Sequence, residues 1–240
     1  MNLKNPTKFW VVFSILVCGI VFVPIEPVIG QGNTTNSTTS ITLARLQYRG
    51  GGDWYNDPSA LVNLIKFSNE RLPVHINTRF EDVAVGSRDL FRYPFVFMTG
   101  HGNVTMNATE LQNLRRYLDR GGFLFIDDDY GMDNYVRPLI NQLFPEEELI
   151  DLPFSHPIFN QAFAFPNGIP KVHEHDNNPP QLFGLFRNGK LVLLYGYESN
   201  ISDGWADAEI HGVSESTRDQ SLKMGANILM YVLTTSRVIN

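Results

Sequence analysis

From residue 41 onward the chain alternates between two hydrophobic periods. Short, nearly uninterrupted apolar runs at residues 42–48 (TLARLQY), 95–100 (FVFMTG) and 122–127 (GFLFID) read as buried strands. Residues 74–80 (VHINTRF) and 148–153 (ELIDLP) read as two further short strands. Between these runs the period lengthens to that of helices. Asp57 and Pro58 read as a helix start, N-cap then first helical residue, with Leu61, Leu64, Ile65 and Ser68 following at helical spacing. Asn107 and Glu110 form a capping-box pair ahead of Leu111, Leu114 and Leu118, in a helix that ends at Gly121. A third helix is expected over about residues 133–144, where Pro138 bends or breaks it. Residues 182–198 read as a hairpin turning at Asn188-Gly189, a pair suited to a type I′ turn. A last helix starts near Ser214 to Ser216 and buries Leu222, Ile228, Leu229 and Val232.

Buried strands alternating with helices imply an α/β protein with a mostly parallel sheet covered on both faces. In such sheets ligands sit beyond the carboxyl ends of the strands. Four polar stretches follow strands and should therefore gather on one edge: RGGGDW, GHGN, DDDYGMD and ESNISDGWADAEIH.

The first thirty residues break this pattern. Lys4 and Lys8 precede an apolar run at residues 9–23, and small residues end the segment before Gln31. This is the layout of a secretory signal peptide, shorter than the ~20 residues a membrane span needs. Residues 31–41, small and polar, read as a flexible linker. The single cysteine, Cys18, lies inside the apolar run. A processed chain therefore has no disulfide, thiolate metal site or cysteine nucleophile. A net charge of −6 argues against nucleic acid, which requires a basic face.

Candidate chemistry sits in the polar stretches. Gly51, Gly52, Asp53 and Trp54 form either an anion-binding turn, if a helix N-terminus stands behind it, or a tight turn packed under the tryptophan. His101, between glycines at a strand end, is placed for proton transfer. Of Asp127, Asp128 and Asp129, successive residues face opposite sides, so no more than two share a site. They suit a divalent cation or the capping of the next helix. His173 and His175 fall on one side of an extended segment, with Glu174 facing away. With Asp176, Asp128 or His101 they could bind a metal, or they could form a hydrogen-bonded or merely polar turn. The HEHD run is expected to lie over the carboxyl edge, facing GHG and DDDYGMD, with one of its histidines paired to an aspartate and its pKa raised. Asp203 and Trp205 complete the candidates. No Gly-x-Ser-x-Gly elbow supports a serine hydrolase built on Ser155 and His156.

Long stretches of residues 43–235, among them ARLQYRGGGDWYNDPSALVNL, FRYPFVFMTGHGNV, LRRYLDRGGFLFIDDDYGMD and PKVHEHDNNPPQLFGLFRNGKLVLLYGYESNISDGW, resemble an exported bacterial domain-of-unknown-function family, DUF4159. That family is grouped with class I glutamine amidotransferase-like folds. The resemblance implies a three-layer sandwich with a flavodoxin-like sheet over residues 42–236, and the C-terminal hairpin adds to it. It implies no glutaminase activity, since that chemistry needs a cysteine, and it carries over no catalytic residue. It also hints at assembly work beside ATPase and von Willebrand-type envelope proteins. The expected function is thus a non-glutaminase module in the envelope that binds a ligand or assembles a complex. The alternative is a hydrolase using the His/Asp edge, with or without a metal. Expected partners are envelope proteins or a small polar ligand, without nucleic acid, and with membrane contact only through an uncleaved leader. The sequence assigns no cofactor.

Export predicts removal of about thirty residues. Mass spectrometry of the exported protein should find an N-terminus near Gln31, and intact Met1 in a soluble cytoplasmic pool would contradict it.

Overall fold

A computed structural model describes residues 40–235 of the chain. The expected leader, residues 1–30, and the linker up to residue 39 lie outside the described residues. Strands β1 (Ala44–Gln47), β2 (Glu81–Ala84), β3 (Phe95–His101), β4 (Phe123–Tyr130) and β7 (Lys190–Tyr197) run parallel. β6 (Gln181–Arg187) is antiparallel to β7, and β5 (Ile150–Asp151) to β6. The sheet order is β2-β1-β3-β4-β7-β6-β5. Its parallel part runs second-first-third-fourth-fifth in chain order, which is the flavodoxin-like arrangement.

The strand pattern sets the layers. Ala44, Leu46, Val96, Met98, Leu124 and Ile126 face helices α2 (Ala108–Asp119) and α3 (Asp133–Leu143). Leu43, Phe95, Phe97, Phe123 and Phe125 face α1 (Ala60–Arg71) and α4 (Glu215–Thr235). The result is a three-layer α/β sandwich. The hairpin turns at Asn188 and Gly189, both at positive φ as a type I′ turn requires. No described helix is long and apolar enough to cross a membrane.

Several expected elements shift, each for a local reason. Asp57 is not the N-cap of α1. Its φ of 45° places it in the left-handed region, and the helix begins at Ala60. Residues 74–80 form no strand beyond a bridge between Ile76 and Ile41. The Asn69 side chain accepts from Ile76 N at 2.9 Å and donates to Ile76 O at 2.7 Å, occupying the groups a ladder would use. The second strand lies at Glu81–Ala84 instead, where only Val83 is buried. On α2 the capping box of Asn107 and Glu110 is present, but Leu111 is only partly buried. Asn113 and Tyr117 share the inner face with Leu114 and Leu118. Pro138 lies within α3 without breaking it. The expected strand at 148–153 shrinks to two residues.

Trp205 belongs to the core and not to a ligand site. It is fully buried, its ring 5.4 Å from that of Phe97 and 6.0 Å from that of Phe125, and its Nε1 donates to Ser221 O at 2.9 Å. Trp205→Ala should therefore lower unfolding stability by about 3–5 kcal/mol, as large-to-small core changes do. Urea denaturation checks this; a loss under about 1 kcal/mol would place the ring outside the core.

Candidate functional site

The carboxyl end of β4 supplies three consecutive aspartates, which the strand pleat divides. Asp128 turns toward α3. It accepts from Met132 N and from Tyr195 Oη, both at 2.9 Å, and so anchors the start of that helix. Burial raises its pKa. Asp127 and Asp129 turn to the other side. Asp127 is fully buried and accepts from Ser202 N at 2.7 Å and Ser202 Oγ at 2.6 Å through Oδ2 alone. Its Oδ1 is buried without a partner, and burial pushes the carboxyl up to about 7. Asp129 accepts from the side-chain amides of Asn56 and Asn200, the latter at 3.0 Å on Oδ1.

These bonds tie β4 to the two loops that carry the remaining groups. The loop after β1 reaches the edge through Gly52, whose N donates to Asn103 O at 3.0 Å, and Asp53, which accepts from His101 N at 2.6 Å. His101 Nδ1 stands 3.1 Å from Asp53 Oδ2 and 3.4 Å from Asp129 Oδ2, with half of the side chain exposed. This close approach requires glycine at position 100. Its φ is +142°, and a Cβ there would sit 2.2 Å from Tyr48 Oη and 3.1 Å from Asp53 Oδ1.

The loop after β7 supplies Asp203, and the approach of HEHD supplies His173. His173 Nδ1 lies 2.6 Å from Asp203 Oδ2. His211 Nδ1 lies 3.8 Å from the same oxygen, while its Nε2 is 2.6 Å from Asp57 Oδ1. Asp203 is only 4% exposed, and its Oδ1 is buried without a partner. Its pKa is driven strongly upward, first by burial, then by Asp129, which lies within hydrogen-bonding reach, and then by Asp127 and Asp57. The pKa of His173 goes down, against expectation. Burial dominates, and the nearby His211 and His175 add to it. A carboxyl that keeps its proton beside an imidazole that stays neutral is one consistent state, since neither group is well hydrated.

Among the sequence-derived candidates, the fold brings Asp53, His101, Asp127, Asp129, His173 and Asp203 together. Gly51 and Gly52 do not stand at a helix N-terminus, because α1 begins only at Ala60. Trp54 lies under Arg45, whose Cζ is 5.3 Å from the ring centroid. Glu174 pairs with Lys171 at 2.8 Å. His175 stacks on Tyr130 at 4.4 Å between ring centroids. With Asp128, Asp129, Asp176 and Asn200 it lines an adjoining pocket of about 350 Å³.

His175, Asp176 and Asp128 therefore do not complete the metal-ligand set expected with His173. Among the described residues two groups of donor atoms instead fall within 4.8 Å: His173, Asp203 and His211, and Asp57, Asp129 and Asp203. Sequence reasoning passed over His211 and used Asp57 as a helix cap. The only signal for His211 was its place at the end of a polar stretch after a buried strand.

A family model described as "Domain of unknown function (DUF4159)" matches residues 42–233. No curated protein shows significant similarity to the chain.

Asp203 without its proton would face three carboxylates, so an isosteric amide should be harmless in the absence of metal. In chelator, Asp203→Asn is expected to leave thermal unfolding unchanged or slightly raised. A loss above about 1 kcal/mol would instead show a stabilising ion pair with His173.

Proposed function

The chain belongs to the DUF4159 family, and from that premise we propose that its sheet edge is a divalent-cation site hydrolysing a small polar ligand seated in the adjoining pocket. The observation that carries this reading is the approach of His173 and His211 to Oδ2 of Asp203, a buried carboxylate whose other oxygen, Oδ1, has no partner. Two imidazoles and a carboxylate suit a Zn²⁺-like ion and leave a fourth position for water or substrate. In tetrahedral geometry such ligand atoms stand about 3.3 Å apart. The observed 2.6 and 3.8 Å from Asp203 Oδ2 to the two Nδ1 atoms bracket that value.

Supporting groups fit the same chemistry. Asp57 holds His211 Nε2, the outer carboxylate contact that orients a ligating imidazole and leaves its other nitrogen for the metal. The lowered pKa of His173 favours the neutral ring that ligation needs. A bound cation would supply Lewis acidity and a water of lowered pKa. His101, held at Nδ1 between Asp53 and Asp129 and half exposed, is the group for proton transfer. The Tyr130–His175 stack forms a flat wall for the ligand.

Our reading also relates the fold to class I glutamine amidotransferase-like proteins; the sheet order and the loops at its carboxyl edge support that kinship. Glutaminase chemistry is no part of the proposal, because Cys18 stands outside the domain. Export to the envelope remains the proposed location, supported by the Lys4, Lys8 and apolar-run layout. The pocket favours a second reading, a module that binds a polar ligand or an envelope partner without turning it over.

The test is elemental analysis of the full chain after chelation and reloading with Zn²⁺, followed by assay on p-nitrophenyl acetate and bis(p-nitrophenyl) phosphate. At least one Zn²⁺ per chain is expected. Asp57→Asn should weaken Zn²⁺ affinity by about 10–100-fold, as loss of an outer contact does. Hydrolysis should vanish in His173→Ala, and glutamine should release no ammonia. Metal uptake without hydrolysis of either ester leaves the binding reading; no uptake sinks the cation site.

A further inference from the structure

Asp203 belongs to both donor groups. The second group, with Asp57 and Asp129, contains oxygen ligands only, a set that suits Mn²⁺ or Mg²⁺ better than a nitrogen-seeking ion. Clustered acids alone would indicate nothing. Here the acid shared by both groups, Asp203, is 4% exposed, and its Oδ1 is buried without a hydrogen-bond partner while its Oδ2 meets His173. Asn56 and Asn200 repeat the signal. Both donate through Nδ2 to Asp129, and in both Oδ1 is buried without a partner.

We propose that the edge binds two divalent cations and that Asp203 lies between them as a shared carboxylate, with His173 and His211 on one and Asp57 and Asp129 on the other. This rests on the cation reading above and extends it. Charge points the same way. Asp57, Asp127, Asp129 and Asp203 crowd together, and among the described residues their ion-pair partners are imidazoles only. Two divalent ions would neutralise all four. Paired ions stand about 3.5–4 Å apart, a separation that one carboxylate bridges when each of its oxygens takes a different ion. Asp57 has a double part: Oδ1 positions His211, and the carboxylate also borders the second cation.

The test uses the full chain, freed of metal and titrated with Mn²⁺ under equilibrium dialysis, with low-temperature electron paramagnetic resonance on the loaded protein. Two Mn²⁺ per chain and an exchange-coupled spectrum are expected. Asp129→Asn, which keeps the side chain's shape, should bind one ion and give an uncoupled spectrum. His173→Gln should likewise bind one, and Asp203→Asn should weaken both by at least tenfold. Circular dichroism and thermal unfolding in chelator show that each variant is folded. A single Mn²⁺ in the parent at saturation, or two ions retained in Asp129→Asn, overturns the shared-carboxylate proposal and leaves the single-cation site intact. No ion in the parent overturns both.

Discussion

The edge of this protein depends on the hydrogen bonds that Asp127 and Asp129 accept from the loop after β7. Ser202 binds Asp127 through both N and Oγ, and Asn200 reaches Asp129. Without these bonds two carboxylates at the end of a central strand would be buried with little compensation, at a cost of several kcal/mol each. The bonds also fix where Asp203 sits, because it follows Ser202 directly in a loop whose Glu198 and Asn200 adopt positive φ. The placement of every other polar group follows. Asp203 meets His173, His211 spans from Asp203 to Asp57, and Asn56 closes the ring onto Asp129.

The bonds do not satisfy everything they bury. Two of the carboxylates are half occupied: Asp127 uses only Oδ2, and Asp203 meets imidazoles only through Oδ2. Native interiors rarely leave such atoms unpartnered. Here they concentrate at the carboxyl edge of the parallel strands, on β4 and in the loops after β1 and β7, the edge where this fold class places its ligands. Elsewhere on the same strand Asp128 is fully engaged by Met132 and Tyr195, and it serves the helix. Neighbours on one strand thus differ: Asp128 has both oxygens engaged, while Asp127 leaves one buried without a partner.

Much of the frame was legible in the sequence, because strands buried on both faces leave uninterrupted apolar runs. β3, β4 and the β6–β7 hairpin stand out for that reason, and the Asn107–Glu110 cap is local chemistry at fixed spacing. β2 was not legible. It is an edge strand with one buried side chain, and the neighbouring β-like run is held by Asn69. Within the site, the His101 and Asp127–Asp129 motifs were readable because they directly follow buried strands. The contact of His211 with Asp57 spans 154 positions and leaves no periodic trace. Asp57 carried a misleading one, since Asp-Pro is a strong helix-start signal while its backbone here is left-handed.

The state of Asp203 links electrostatics to chemistry. In a metal-free edge burial and three neighbouring aspartates oppose the charge of its carboxyl and drive its pKa upward. Burial likewise disfavours the charged form of His173 beside it and lowers its pKa. On the proposed cation reading, an ion bound between them would take the place of the carboxyl proton and restore the carboxylate charge that burial disfavours. The same desolvation that makes the unligated edge costly would make a proposed divalent ion effective there, because its field would be little screened in a buried site. Half-exposed His101 stands at the boundary between that interior and solvent, where a proton can be exchanged without passing through the buried carboxylates.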